Sequence, residues 1–596
     1  MKKLLTLICW LVASQQMIAQ KTVTVEAESL TPAGTYAGKI TQPPFDGVGF
    51  YANNDNATGN VTLPVQQGLY EVTVRGASNN SSTAKIELYV DGQTIGTFSF
   101  TGTQAQNSKV KLKLYLSATT VSLKLNLETD NGSNDTYVDK IVFDLISEIV
   151  PRNDPFIPAK GAYETGEYRN LFVEAGYTEA DVNSRTEQMW QQMFYGNDDT
   201  ERVYYPVGTD MAYILDVNNN DVRSEGMSYG MMICVQLNKK EEFDRLWKWA
   251  KTYMQNGNGT EKQGYFNWQC NTDGSTKGHT PASDGEEYFI MALMFASNRW
   301  GDGEGIFNYS KEANYIIENC FNKPMSFSPH SSYTNLFDST EKQVVFVPYA
   351  TAAGFTDPSY HLPAFYQLWA EWADNHNDEL RTIAAKSRKM WSRFAHPTTG
   401  LMPDYANFDG SVHQGDGDHA KFLYDAWRCI MNMAVDFSWF RPEGVEYEAM
   451  CSKILGFLYN VRGGVKKYYS CYTLEGNETN GNTDHSPGLV ACNATGTLAC
   501  STSMTWDFVD DFYETSIPTG RFRYYDGLLY FMNWLHASGN FRIYKPQDEA
   551  SVNVIEMPQS TRKTIYNLHG RQINKMEKGL NIVRYENGKV RKVLVK

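Results

Sequence analysis

Three acidic residues stand where helical periodicity begins. Glu225 lies in RSEGMSYG, ahead of an apolar run through Tyr229, Met232 and Ile233. Asp284 lies in ASDGEEYF, ahead of Phe289, Ala292, Leu293 and Ala296, and Asp425 lies in LYDAWR, ahead of Ile430, Met433, Ala434 and Phe437. Acids in a first helical turn complement the positive end of the helix dipole, worth about 0.3–1 kcal/mol each. Ser283 and Glu286 also have the S-x-x-E spacing of a capping box. Singly, then, the carboxylates read as caps. Together they read as chemistry: if the helices converge, three carboxylates crowd one depression and repel until one holds a proton, and a protonated acid beside an ionised base is what general acid–base catalysis needs. A helix N-terminus favours the ionised form, so the donor requires burial or a close carboxylate to stay protonated.

Helices must position these groups, and the spacing supplies them. In EEFDRLWKWAKTYM the residues Phe243, Leu246, Trp247, Ala250, Tyr253 and Met254 fall on one face of an amphipathic helix. The same period recurs over 163–546, which predicts a large helical domain, a barrel or toroid whose helix ends share one depression. Residues 21–148 follow period two instead. KVKLKLYLS and VSLKLNLE alternate apolar and polar, and Asp91-Gly92 in LYVDGQTIG is a hairpin signal, so this segment is expected to be a β-sandwich. Between the two, 149–162 carries Pro151, Pro155 and Pro158 among charged and small residues, the composition of a linker. The tail, 547–596, returns to short strand-like runs with a turn at Asn587-Gly588.

Composition narrows the partners. The chain has 596 residues, with 68 Asp and Glu against 54 Lys and Arg, and no Lys/Arg-rich run, so a nucleic-acid partner is not expected. Thirteen Trp and 37 Tyr suit a protein that stacks flat apolar faces such as sugar rings, although helical cores use them too. The first 20 residues, MKKLLTLICWLVASQQMIAQ, have the basic start and apolar run of a secretory signal peptide, so an exported protein is expected. No later stretch is apolar for the length of a membrane span. Eight cysteines follow Cys9 without metal-ligand spacing, so neither a metal nor a cofactor is expected; the spacing allows a bridge between Cys492 and Cys500.

Six blocks in order, RSEGMSYGMM, ASDGEEYFIMALMFASNRWGDG, FTDPSYHLPAFY, GLMPDYA, LYDAWR and SGNFRIYK, resemble glycoside hydrolase family 8, inverting enzymes with an (α/α)6 barrel. The resemblance implies that Glu225 is the general acid, Asp425 the general base, and Asp284 the carboxylate gripping the distorted sugar at the cleavage point. It also implies sugar-stacking roles for Trp268 and Tyr360, which on residue type alone read as core. Arg428, one turn beyond Asp425, either steadies that carboxylate by a bidentate contact or pairs elsewhere; Asp404 in MPDY reads as structural or as a support behind the residues that meet the substrate. The blocks are closer to the xylan-active branch, which implies β-1,4-xylan or xylo-oligosaccharides as substrate. Some members of that branch cut internally, while others release xylose from the reducing end behind a loop bearing a His-Pro pair. Here DHSPGL places Ser486 between His485 and Pro487, leaning towards the reducing-end mode with His485 as a substrate-binding residue. Internal cleavage, an endoglucanase, and a polysaccharide-binding protein with an inactive barrel stay open as alternatives.

The first segment, opening VEAES and closing YVDKIVFDL, resembles carbohydrate-binding modules of family 6. The tail resembles C-terminal sorting tails of exported proteins in the Bacteroidetes, which implies a partner in the sorting machinery. A monomer is the expectation for the whole.

Overall fold

The computed structural model describes residues 21–546 apart from 42–44, 80–82, 117, 128–134, 149–151, 324–331, 416 and 480–482, and in the tail 563–595 apart from 568–570, 574, 577 and 586–589. The expected signal peptide and the Asn587-Gly588 turn lie outside the described residues. Contacts divide the chain into two units, Met1–Asn153 and Asp154–Lys596.

The first unit is built from antiparallel strands, as the alternation requires. Strands β1 (Thr22–Glu26), β3 (Gly38–Ile40), β4 (Gly47–Phe50), β6 (Gln67–Ser78), β9 (Gln106–Tyr115) and β11 (Thr136–Glu148) form one sheet, and β2 (Thr31–Ala33), β5 (Asn56–Thr62), β7 (Thr83–Val90), β8 (Gln93–Thr101) and β10 (Thr120–Asn126) form the other. Every second residue turns inward: Val72, Val74, Ile141 and Phe143 from the first sheet meet Ile86, Leu88, Phe98, Leu123 and Leu125 from the second in one core. Asp91 and Gly92 join β7 to β8 with φ of 47° and 77°, the two positive values that a tight hairpin turn demands.

Among the described residues of the second unit, twelve α-helices of ten residues or more alternate in character. Helices α2 (Ser224–Gln236), α4 (Ser283–Trp300), α6 (Pro363–Trp372), α8 (Trp427–Phe440), α10 (Pro487–Gly496) and α12 (Tyr525–Ala537) are largely or wholly buried. Helices α1 (Glu179–Tyr195), α3 (Lys240–Trp249), α5 (Tyr309–Phe321), α7 (Asn377–Phe394), α9 (Tyr447–Val461) and α11 (Thr505–Glu514) carry an apolar stripe and a polar face. A helix apolar on all sides must be enclosed, and a striped one must face water. The contacts obey this: the buried six close a ring in the order α2, α4, α6, α8, α10, α12 and back to α2, and each has one striped helix behind it. That is an (α/α)6 ring. Each large side chain sealed between the layers, such as Trp247, Trp369, Trp391 and Trp534, contributes about 1.5–3 kcal/mol.

Two expectations need correction. The amphipathic helix predicted through Met254 stays α-helical only to Trp249, and Ala250–Met254 is a π turn in which the Gln255 amide reaches the Ala250 carbonyl at 3.0 Å. The eight described cysteines are all buried and free, so Cys492 and Cys500 are not bridged. Their sulfurs are engaged separately, Cys492 by the Asn533 amide at 3.5 Å and Cys500 with the Gly496 carbonyl at 3.7 Å. Among the described residues no helix is long and apolar enough to cross a membrane. The tail strands Lys563–Asn567, Gln572–Ile573, Gly579–Tyr585 and Val590–Val595 form an antiparallel sheet.

Candidate active site

The ring helices deliver their N-termini to one place, and an arginine ties them together. Arg428, in the first turn of α8 and 2% exposed, donates from Nη1 to Glu225 Oε2 at 3.3 Å, to Asp284 Oδ2 at 3.2 Å and to the Tyr229 hydroxyl at 2.8 Å. From Nη2 it donates to Asp425 Oδ1 at 2.8 Å and to Ser359 Oγ at 3.0 Å. One guanidinium thus contacts all three carboxylates singled out in the sequence. The contact to Asp425 uses one carboxylate oxygen and so is not bidentate; the alternatives of steadying the base and pairing elsewhere are both realised.

The glycines that follow the acids explain how the helix ends approach so closely. A Cβ on Gly226 would stand 2.6 Å from the Tyr524 ring, and one on Gly285 would stand 2.5 Å from Ser224 Oγ. Only glycine lets Tyr524 donate its hydroxyl to Glu225 Oε1, at 3.2 Å, and lets α4 pack against the start of α2. A three-stranded sheet of Val222–Arg223, Gln269–Cys270 and Thr276–Gly278 then fixes the lead into α2, with the Ser224 amide bonded to the Trp268 carbonyl at 2.9 Å.

Electrostatics separates the roles. Burial first, and then the Asp284 carboxylate, push Glu225 up from 4.5 to about 7, with Asp425 adding to the rise and Arg428 and Arg223 opposing it. Burial also raises Asp284, against the pull of Arg428. Three ionised carboxylates around a single guanidinium leave excess negative charge in a poorly hydrated site, and a proton on Glu225 relieves it. The side chain of Asp425 is 27% exposed and that of Glu225 18%, so Asp425 is the more open to water. Contacts of 3.3 and 2.8 Å across one planar guanidinium cap the separation of the bonded Glu225 and Asp425 oxygens at about 8.5 Å.

The other predicted residues fare unevenly. Trp268 is half-buried beside the start of α2, and its ring already faces Arg223 at 5.3 Å. Tyr360 is only 7% exposed, with Arg428 over its ring at 5.4 Å and Phe346 stacked at 5.9 Å, so it does not offer the open sugar-stacking face that was expected. His485 has both nitrogens taken, Nδ1 by the Tyr468 carbonyl at 2.9 Å and Nε2 by Asp511 at 3.1 Å, which leaves none for a sugar and matches an ordinary loop histidine. The capping box is absent. Ser283 donates to the Val345 carbonyl at 2.7 Å, while Glu286 accepts the Phe266 amide at 2.9 Å and is pushed by burial to about 8.

Asp404 does more than fill space, since its Oδ1 accepts the Ala426 amide at 3.1 Å and so fixes the residue after the base; its Oδ2 pairs with His419 at 3.1 Å. Tyr229, Ser359, Tyr524 and Tyr525 were missed. The Tyr525 hydroxyl donates to the Tyr424 carbonyl at 2.7 Å and holds the residue before the base. Tyr524 and Tyr525 could have been found, because they open the last ring helix as Glu225 opens the first. Beside them a cavity of about 260 Å³ is bordered by Tyr424, Ser486 and Asp526, and by Asp484 and Arg521, which pair at 3.7 Å. Among the described residues no group of three His, Cys, Asp or Glu is arranged to hold a metal.

The chain is similar to known proteins. Residues 214–441 match the family described as glycosyl hydrolases family 8. The chain is 43% identical over 391 residues to the reducing-end xylose-releasing exo-oligoxylanase Rex8A of Paenibacillus barcinonensis, covering 65% of this chain and 100% of that protein. The structure of Rex8A complexed with xylose is similar with a TM-score of 0.61 at 42% identity, again over 65% of this chain and 100% of that one. A further 121-residue match, 41% identical, is to an arabinoxylan arabinofuranohydrolase of Paenibacillus polymyxa, covering 20% of this chain and 18% of that protein. With Glu225, Asp284 and Asp425 gathered on one guanidinium, and a relative 43% identical and matched along its whole length, the chain belongs to glycosyl hydrolases family 8.

Proposed function

We propose that the protein hydrolyses β-1,4-xylosidic bonds in xylo-oligosaccharides with inversion, releasing xylose from the reducing end. The observation that carries the chemistry is the guanidinium of Arg428 shared by Glu225, Asp284 and Asp425, with burial and a neighbouring carboxylate keeping a proton on Glu225 near neutral pH. Glu225 gives that proton to the glycosidic oxygen while Asp425 takes one from a water attacking the opposite face of the sugar. A single displacement leaves the anomeric carbon inverted. Inverting pairs stand about 6.5–9.5 Å apart to admit the water, and the cap on the separation of Glu225 and Asp425 is compatible with that range. Asp284, bonded to the same nitrogen as the acid, grips the sugar at the cleavage point in this reading.

Rex8A, named for releasing xylose from reducing ends, supports the substrate and the mode. The two-sheet unit is read as a β-sandwich that binds carbohydrate, and the tail sheet as a sorting appendage on an exported, monomeric enzyme. Digestion of xylohexaose, with products resolved by chromatography and the fresh anomer read by NMR, tests the reading. Xylose with the oligomer one unit shorter is expected first, in the inverted configuration. Mixed mid-length products would establish internal cleavage instead, and a retained anomer would refute the mechanism.

A further inference from the structure

The shared guanidinium is held by a turn that lies outside the acid–base set. Asp357 Oδ1 accepts the Ser359 amide at 2.7 Å and so caps the short 3-10 turn Pro358–Tyr360. From that turn Ser359 Oγ accepts from Nη2 of Arg428 at 3.0 Å, and the Tyr360 ring lies against the same guanidinium at 5.4 Å. Asn432, one helical turn beyond Arg428 on α8, donates to the Ser359 carbonyl at 2.7 Å. The Tyr366 hydroxyl meets the Tyr360 carbonyl at 2.9 Å and also bonds to Glu287.

Capping this turn needs a single acceptor, and the fully buried Asp357 supplies it through Oδ1. Its Oδ2, and Nε of Arg428, are both enclosed without a hydrogen-bond partner among the described residues. We propose that Asp357 is a positioning residue for the reaction: by capping the turn it sets Ser359 Oγ and the Tyr360 ring against Arg428, and thereby keeps that guanidinium divided among Glu225, Asp284 and Asp425. Without the cap Ser359 withdraws, Nη2 keeps Asp425 as its sole partner, and the arginine shifts. The acid then loses the balance that holds its proton, and the acid-to-base spacing changes. Substrate contacts elsewhere in the cleft are untouched, so the loss falls on turnover.

The test compares Asp357→Ala, Asp357→Asn and Ser359→Ala in the full chain, on whichever oligosaccharide the wild type cleaves fastest. Asp357→Ala and Ser359→Ala are expected to lower kcat about 10- to 100-fold with KM within about twofold. Asp357→Asn keeps the Oδ1 acceptor and is expected within about threefold of wild type. Near-ultraviolet circular dichroism checks the fold; should Asp357→Ala not fold, Ser359→Ala, which deletes one oxygen, carries the test. Wild-type kcat in either alanine variant overturns the proposal. So does a KM rise that accounts for the loss, or an Asp357→Asn variant as slow as Asp357→Ala. The proposal rests on the hydrolytic reading only for a turnover to measure. Failure on xylo-oligosaccharides with cleavage of another β-1,4-glycan would sink the substrate reading and leave this comparison intact.

Discussion

Asp284→Asn removes a charge that shares one nitrogen with the acid. Glu225 Oε2 and Asp284 Oδ2 lie 3.3 and 3.2 Å from Nη1 of Arg428, which sets how far apart they can be. At about 6 Å and an effective dielectric constant of about 20, two unit charges repel by about 3 kcal/mol, equivalent to about 2 pH units. That would consume most of the rise from 4.5 to about 7 at Glu225, yet burial is the larger cause and Arg428 opposes it. Because Arg428 lowers what burial and Asp284 raise, the upward contributions exceed the net rise, and up to about 2 pH units from Asp284 fit beneath the larger share of burial. An acid works only while protonated, so in the wild type kcat/KM should fall as pH rises through about 7. In Asp284→Asn the same limb should move up to about two pH units lower, towards acid. The assay is kcat/KM against pH on xylo-oligosaccharides for both enzymes. The proposed grip of Asp284 on the sugar would lower the whole profile in the variant, but the position of the limb does not depend on its height. A limb that stays in place, or moves to higher pH, refutes the coupling.

Three further outcomes are expected. Glu225→Gln should lower kcat about 10²- to 10⁴-fold with little change in KM, read from initial rates, and survival of turnover would remove it as the acid. Gly226→Ala places a methyl 2.6 Å from the Tyr524 ring, so Tyr524 must move off Glu225; about 1–3 kcal/mol of stability should be lost in thermal unfolding, together with turnover. Glu286, buried and raised from 4.5 to about 8, binds more protons folded than unfolded between those values. Its contribution to stability is thus fully present below about 4.5 and is lost as pH rises towards about 8. Glu286→Gln is neutral throughout, so unfolding at pH 5 and pH 8 should show the variant gaining on the wild type by on the order of 3 kcal/mol. Parallel pH dependences would show that Glu286 is ionised in the fold.

Much of this was legible in the chain. The alternation in VSLKLNLE requires half-buried strands, and the contrast between SEGMSYGMMICVQ, which carries one charged residue, and striped KEEFDRLWKW separates a ring helix from an outer one, because burial of a helix is written in how far round it the charged residues extend. The acids at the starts of helices were visible for the same local reason. Partners are different, since a hydrogen bond between residues 203 positions apart leaves no periodic trace. That Arg428 spans Glu225, Asp284 and Asp425, that Ser283 turns to Val345 rather than to Glu286, and that His485 is already satisfied by Tyr468 and Asp511 were all decided by which loops the closed ring brings together. The sequence by itself determined that carboxylates stand at helix mouths, through local spacing. Tertiary structure alone decided which of them keeps its proton, because burial and the distance to a neighbouring charge are properties of the assembled ring.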